Sequence, residues 1–299
     1  MATLTPGDRL WLIESLTDLI ERRGASTFLE ARLLEPTPAC FPDRWTADAA
    51  AVRTLARRLL AHAGLDLDAE VELFDDGPDE QPEGFGTGQT SHHAGTAAWF
   101  AGIDRGVCLF GAEIGKLRDG IGIVGAMAHE IAHAYRRFHR LEVRDRDEEE
   151  RLTDLTTIYL GTGILTTNAS YRYRASSSFE RGGERSMYSH QRIGYLGPAA
   201  MSYLLAMQVV ARGADVPEQK RVARLLETNQ AGAFRATCAS IERPSLAPLL
   251  GGTPLPPMMV TPAPSARDRA RAAVRIALWA IALLGLATIG ALALDALVG

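Results

Sequence analysis

Two histidines four residues apart, His129 and His133, sit in a run of small and apolar residues: Gly125-Ala126-Met127-Ala128-His129-Glu130-Ile131-Ala132-His133-Ala134-Tyr135. The run is rich in helix formers and contains no proline, so it predicts a helix. On a helix, positions i and i+4 share one face, about 6 Å apart along the axis. Two imidazoles so placed can hold one metal ion, with Glu130 beside them to polarise a water. The flanking residues turn this helix inward. An unpaired pair of histidines with a carboxylate is costly in such a setting, which argues for a ligand.

At 299 residues the chain can bury one sizeable core and carry appendages. Its net charge of −4 gives no argument for nucleic acid, and no basic patch is interleaved with aromatics, so no nucleic-acid partner is expected. Cys40, Cys108 and Cys238 are far apart and lack Cys-x-x-Cys spacing. They read as buried thiols of a reducing compartment, neither a disulfide framework nor a zinc ribbon. The first residues carry Asp8, Glu14, Asp18 and Glu21, an amphipathic acidic helix and not a signal peptide.

Residues 8–23 show a helical apolar stripe, stopped by Gly24, and the proline-rich stretch at 33–43 reads as a loop. Thr46 is the expected N-cap of a helix over 47–63. Strands are expected at 69–74, 96–100 and 107–110, the last two joined by Asp104-Arg105-Gly106. Residues 75–95 form a long loop holding His92 and His93, and Asp119 is the expected cap of the histidine helix. Gly122 and Gly125 would let that helix approach a neighbour closely. A second helix is expected over 148–160, stopped by Gly161 and Gly163. A long polar loop should follow at 170–194, then helices opening at Pro198 and at Asp215-Pro217, with a last one over 232–241.

Residues 244–266 read as a Pro/Gly-rich linker. Beyond them Arg267, Arg269, Arg271 and Arg275 precede an uncharged run at 276–294, expected to be a single membrane-spanning helix. Arginines on its N-terminal side, and none after it, place the bulk of the chain on the cytoplasmic face of the membrane. The expected organisation is a helical segment and loop at 1–43, a catalytic domain at 44–243, the linker, and a basic flank with its bilayer anchor at 267–299.

A catalytic zinc keeps three protein ligands and one open position. The third ligand must come from elsewhere, and Glu150 is the leading candidate, with Glu148 and Glu149 as competitors. Asp154 breaks the tie, because it shares a helix face with Glu150 and not with the other two. With His129-Glu130-x-x-His133 followed by Glu150-Arg151-Leu152-Thr153-Asp154, the chain resembles the gluzincin class of zinc metallopeptidases, the thermolysin-like branch. The resemblance spans roughly residues 47–212 and rests on these two helices; the connection between them is shorter than in several relatives.

The resemblance implies an α+β, mostly helical, zincin-like domain with a small sheet and an active-site helix pair. It implies Zn2+ bound by His129, His133 and Glu150, with Asp154 orienting an imidazole and Glu130 as general base. A zinc-activated water would then hydrolyse a peptide or protein substrate laid along the strand at 96–100 or 107–110. Tyr188, His190 and Tyr195, with Arg192 nearby, lie where relatives carry an oxyanion donor, and nothing in the sequence selects among them. The alternative is a membrane scaffold or sensor that keeps the zinc and turns nothing over. An intact Glu130 favours the enzyme.

Overall fold

The computed structural model describes residues 4–75, 97–170, 172–180, 183–191 and 195–259. The chain opens with α1 (Pro6–Arg23), whose end is fixed by a capping box in which Thr5 and Asp8 satisfy each other's backbone N–H groups. Gly24 ends it at φ 87°, as the sequence predicts. A short α2 (Ala25–Glu30), not anticipated, follows at once and buries Ala25 and Phe28. The helix predicted over 47–63 begins later than expected, as α3 (Ala49–His62). Its cap is Asp48 rather than Thr46, with the Asp48 carboxylate accepting from the N–H of Ala51 at 2.8 Å.

Three strands form one sheet: β1 (Asp68–Phe74), β2 (Ala98–Asp104) and β3 (Val107–Glu113), in the order β1-β3-β2. β2 and β3 are an antiparallel hairpin closed by Arg105 and Gly106 at φ 46° and 86°. Two successive left-handed residues match the twist of a two-residue hairpin turn. β1 pairs with β3 in parallel. The strand predicted at 107–110 therefore lies in the middle of the sheet, bonded on both sides, and of the two candidates β2 is the edge strand among the described residues.

The histidine helix is α4 (Gly120–Phe138), capped by Asp119 as predicted, its carboxylate accepting from the N–H of Gly122 at 3.1 Å. The expected close approach occurs at Gly125. A Cβ there would lie 2.6 Å from the Cβ of Ala169. Ala169 ends α6 (Gly163–Ala169), so Gly163 opens a helix where a stop was expected. Before it runs the second predicted helix, α5 (Arg146–Tyr159), capped by Asp145.

Residues 170–194 were expected as a loop, and the structure corrects this. β4 (Arg172–Glu180) and β5 (Gly183–Gln191) pair antiparallel along their whole length. Their residues do not alternate between polar and apolar, so the periodicity that betrays a half-buried strand is missing. α7 (Pro198–Ala211), α8 (Val216–Ala223) and α9 (Thr228–Ser240) complete the helices.

One apolar cluster joins these elements, running from Leu12 on α1 through Met127 and Ile131 on α4 to Leu204 on α7. The segment expected as separate before residue 43 belongs to it. Leu12, Leu16, Leu19 and Ile20 are buried, and the Tyr159 hydroxyl donates to the carbonyls of Arg23 and Gly24 at the end of α1. Residues 244–259, expected as linker, also lie on this unit. Leu246, Leu249 and Leu250 are buried, and Arg243 donates to the carbonyls of Val210, Ala211 and Pro256. Cys40, Cys108 and Cys238 are free and buried. Burial pushes the thiols of Cys108 and Cys238 up to about 12. Among the described residues no helix is long and apolar enough to cross a membrane, and the span expected at 276–294 lies outside them.

Candidate metal centre

α4 and α5 pack against each other, and their facing sides carry the polar residues that an apolar interface must either satisfy or charge. What sets their docking is Arg136, buried on the last turn of α4. Its guanidinium forks onto Glu149 at 2.7 and 2.8 Å and donates to the carbonyl of Leu141 at 2.8 Å. The N–H of Val143 also donates to Glu149, at 2.9 Å. The short connection between the helices is thereby tied to both. Glu149 is spent on this clamp, and Glu148 is exposed in the first turn of α5. Of the three consecutive glutamates, Glu150 alone turns to the histidines.

Oε2 of Glu150 lies 3.1 Å from Nε2 of His129 and 3.2 Å from Nε2 of His133. One ligand atom from each of the three residues falls within 4.8 Å of the others. The imidazole rings stand edge to face, their centroids 4.9 Å apart. Nδ1 of His129 is engaged by Oδ1 of Asp154 at 2.8 Å, and Nδ1 of His133 by the Thr153 hydroxyl at 3.2 Å. Both rings therefore direct Nε2 at a single carboxylate oxygen. Nitrogen and oxygen donors at this separation suit a borderline divalent cation such as zinc. His129 is 6% exposed and Glu130 7%.

The charges agree with that fit. Burial works against a protonated His129, but its bonds to Asp154 and Glu150 prevail and hold the imidazole well above its ordinary 6.5. Burial likewise raises the Glu150 carboxyl, yet the two histidines prevail and hold it well below 4.5. A proton thus stands between His129 and Glu150 where a metal would stand, and metal uptake would release it. Glu130 differs: burial holds its carboxyl above 4.5 against the opposing pull of His129 and His133.

No family model, curated protein or solved structure matches this chain.

Asp154 does more than the sequence suggested. Its second oxygen accepts the backbone N–H groups of Tyr195 and Leu196 at 2.6 and 2.7 Å, so it ties the chain after β5 to the metal-ligand face. That brings the backbone of Tyr195 beside the site, with 42% of the residue exposed. Tyr188 and His190 occupy β5 positions paired with Ala175 and Tyr173. His92, His93 and Arg192 lie outside the described residues.

Three participants escaped the sequence reading. Thr153 stands three residues after Glu150, a spacing that places it on the same face and could have flagged it. Arg136 gave no signal, because its partner lies on another helix. The third is a backbone group: the N–H of Phe100 on β2 donates to Oε2 of Glu130 at 2.8 Å. The N–H of Glu113 donates to the carbonyl of Ala97. Alternation along an antiparallel ladder then turns the N–H of Phe100 away from β3, toward α4. Glu130 is thus held at the edge of the sheet. Two cavities, of about 130 and 220 Å³, lie at the N-terminal end of α4, and no residue of the cluster lines either.

Proposed function

We propose that this chain is a zinc metallopeptidase of gluzincin type, with His129, His133 and Glu150 as ligands and Glu130 as general base. The observation that carries the reading is the convergence of both Nε2 atoms on one oxygen of Glu150, with Glu130 anchored beside them on an edge strand. When bound, zinc would supply a Lewis acid that lowers the pKa of water and polarises a carbonyl. Glu130 takes the proton of the attacking water and delivers it to the leaving nitrogen. Its burial keeps it a stronger base than a solvated glutamate, and the Phe100 N–H fixes its direction. β2, the edge strand beside Glu130 among the described residues, is where an extended peptide would add as a further strand, with its Phe100 N–H kept by Glu130. Tyr188, His190 and Tyr195 stay candidates for the oxyanion donor.

The test is metal analysis with a peptide-library cleavage assay. One zinc per chain is expected, lost on His129→Ala or His133→Ala. Glu130→Gln should keep zinc and fold while turnover drops by at least ~10³-fold, if base catalysis and water polarisation act together. Activity surviving that change would transfer the protein to the second reading, a zinc-holding scaffold. The near-complete burial of His129 and Glu130 is what favours that alternative.

The proposal includes a tether to the cytoplasmic face of a membrane through residues 276–294, resting on sequence alone. Deleting residues 273–299 should release a soluble protein. Protease protection in vesicles should find the metal domain on the cytoplasmic face, and the opposite result would overturn the orientation.

A further inference from the structure

We propose that Thr153 is the positioning residue for His133, holding its imidazole in the tautomer whose Nε2 is free to bind a metal; the inference rests on the metal reading above. Thr153 is fully buried on α5, and its hydroxyl meets two neighbours. It lies 2.8 Å from the carbonyl of Glu149 and 3.2 Å from Nδ1 of His133. A hydroxyl has one proton to give. The shorter contact is the familiar bond of a helical threonine to the carbonyl four residues back, and it takes that proton. The remaining lone pairs of Oγ1 can only accept, so they select His133 with its proton on Nδ1.

A metal-bound imidazole keeps its proton on the other nitrogen, so a proton held on Nδ1 turns Nε2 of His133, 3.2 Å from Oε2 of Glu150, toward the place where a metal would stand. The arrangement also gives α5 a division of labour along one face. Glu150 is the ligand, Thr153 at i+3 orients one imidazole and Asp154 at i+4 orients the other. Glu149, clamped by Arg136, holds the first turn of α5 in place and lends Thr153 its carbonyl.

The experiment uses the full chain with Thr153→Val, which keeps the shape and removes the acceptor, and Thr153→Ser, which restores it. Long-range 15N–1H correlation of the His133 ring is recorded on metal-free protein under mildly alkaline conditions. Zinc affinity is read by competition with a chromophoric chelator. Wild type and Thr153→Ser should show the Nδ1–H form and similar affinities. Thr153→Val should shift toward Nε2–H and bind zinc ~10–100-fold more weakly, the usual effect of removing an orienting partner. Its helical circular dichroism should stay at the wild-type level. The proposal is overturned if Thr153→Val binds zinc as tightly as wild type. It is equally overturned if metal-free wild type carries the His133 proton on Nε2, a measurement that needs no variant to fold. Wild type in the Nδ1–H form that takes up no zinc would refute the metal reading itself and leave the hydrogen bond standing.

Discussion

Replacing Asp154 by asparagine should reverse the tautomer of His129, and the structure shows why. Asp154 is 3% exposed and has two oxygens at work, one for Nδ1–H of His129 and one for the N–H groups of Tyr195 and Leu196. Asparagine has one oxygen and one NH2 group. The two backbone donors claim the oxygen, since turning the amide round would aim the NH2 at both of them. The NH2 group then faces His129, which must accept on Nδ1 and carry its proton on Nε2, facing Glu150. Metal uptake releases an Nε2 proton in the wild type too, but there Nδ1–H keeps its bond to Asp154, whereas in the variant the bound ring would set Nδ1–H against the amide donor. An outer partner lost at a metal site lowers affinity ~10–100-fold, or about 1.4–2.7 kcal/mol.

The fold should suffer less. Two bonds to a charged acceptor become bonds to a neutral one, at about 1 kcal/mol each. Asp154→Ala should be worse, leaving two buried N–H groups unpaired at about 1–3 kcal/mol each. The assay pairs chelator competition with thermal unfolding of the metal-free protein. If Asp154→Asn binds zinc as tightly as wild type, the tautomer argument fails.

Other outcomes follow from the same geometry. Glu150→Ala should abolish zinc binding and Glu148→Ala should leave both binding and stability unchanged, as chelator titration would show. Glu149→Ala should cost about 3–5 kcal/mol of stability by stranding the buried Arg136 charge; a denaturant midpoint matching that of Glu148→Ala would contradict this. In metal-free protein the contribution of raised His129 is full below 6.5 and lost as pH rises through its folded value. That of depressed Glu150 is full above 4.5 and lost as pH falls through its folded value. The stability lost on Glu150→Gln should therefore be largest between 4.5 and 6.5 and shrink on either side, and a flat difference in melting temperature across that range and above it would exclude the coupling.

The histidine helix and its cap were legible because their causes are local. Asp119 satisfies an N–H three residues on, and the i, i+4 spacing of His129 and His133 sets their common face wherever the helix lies. Glu150 and Asp154 were legible for the same reason. The strands of the sheet were found through alternation and the Asp104-Arg105-Gly106 turn, although their ends were drawn short. The hairpin of β4 and β5 was not, since pairing between polar strands leaves no hydrophobic period in either one.

What sequence alone determined, then, is which side chains share a helix face. What tertiary structure decided is which faces meet. Glu149 and Glu150 are the same residue in the same helix, about 100° apart. Only the docking of α5 on α4 through Arg136 makes one a clamp and the other a candidate ligand. The edge position of β2 among the described residues and the Phe100 N–H at Glu130 likewise depend on strand order, which the chain sets by long-range pairing of β1 with β3. Local spacing is written in consecutive residues. A contact between elements is fixed by the packing of the whole core, and no short window of sequence contains it.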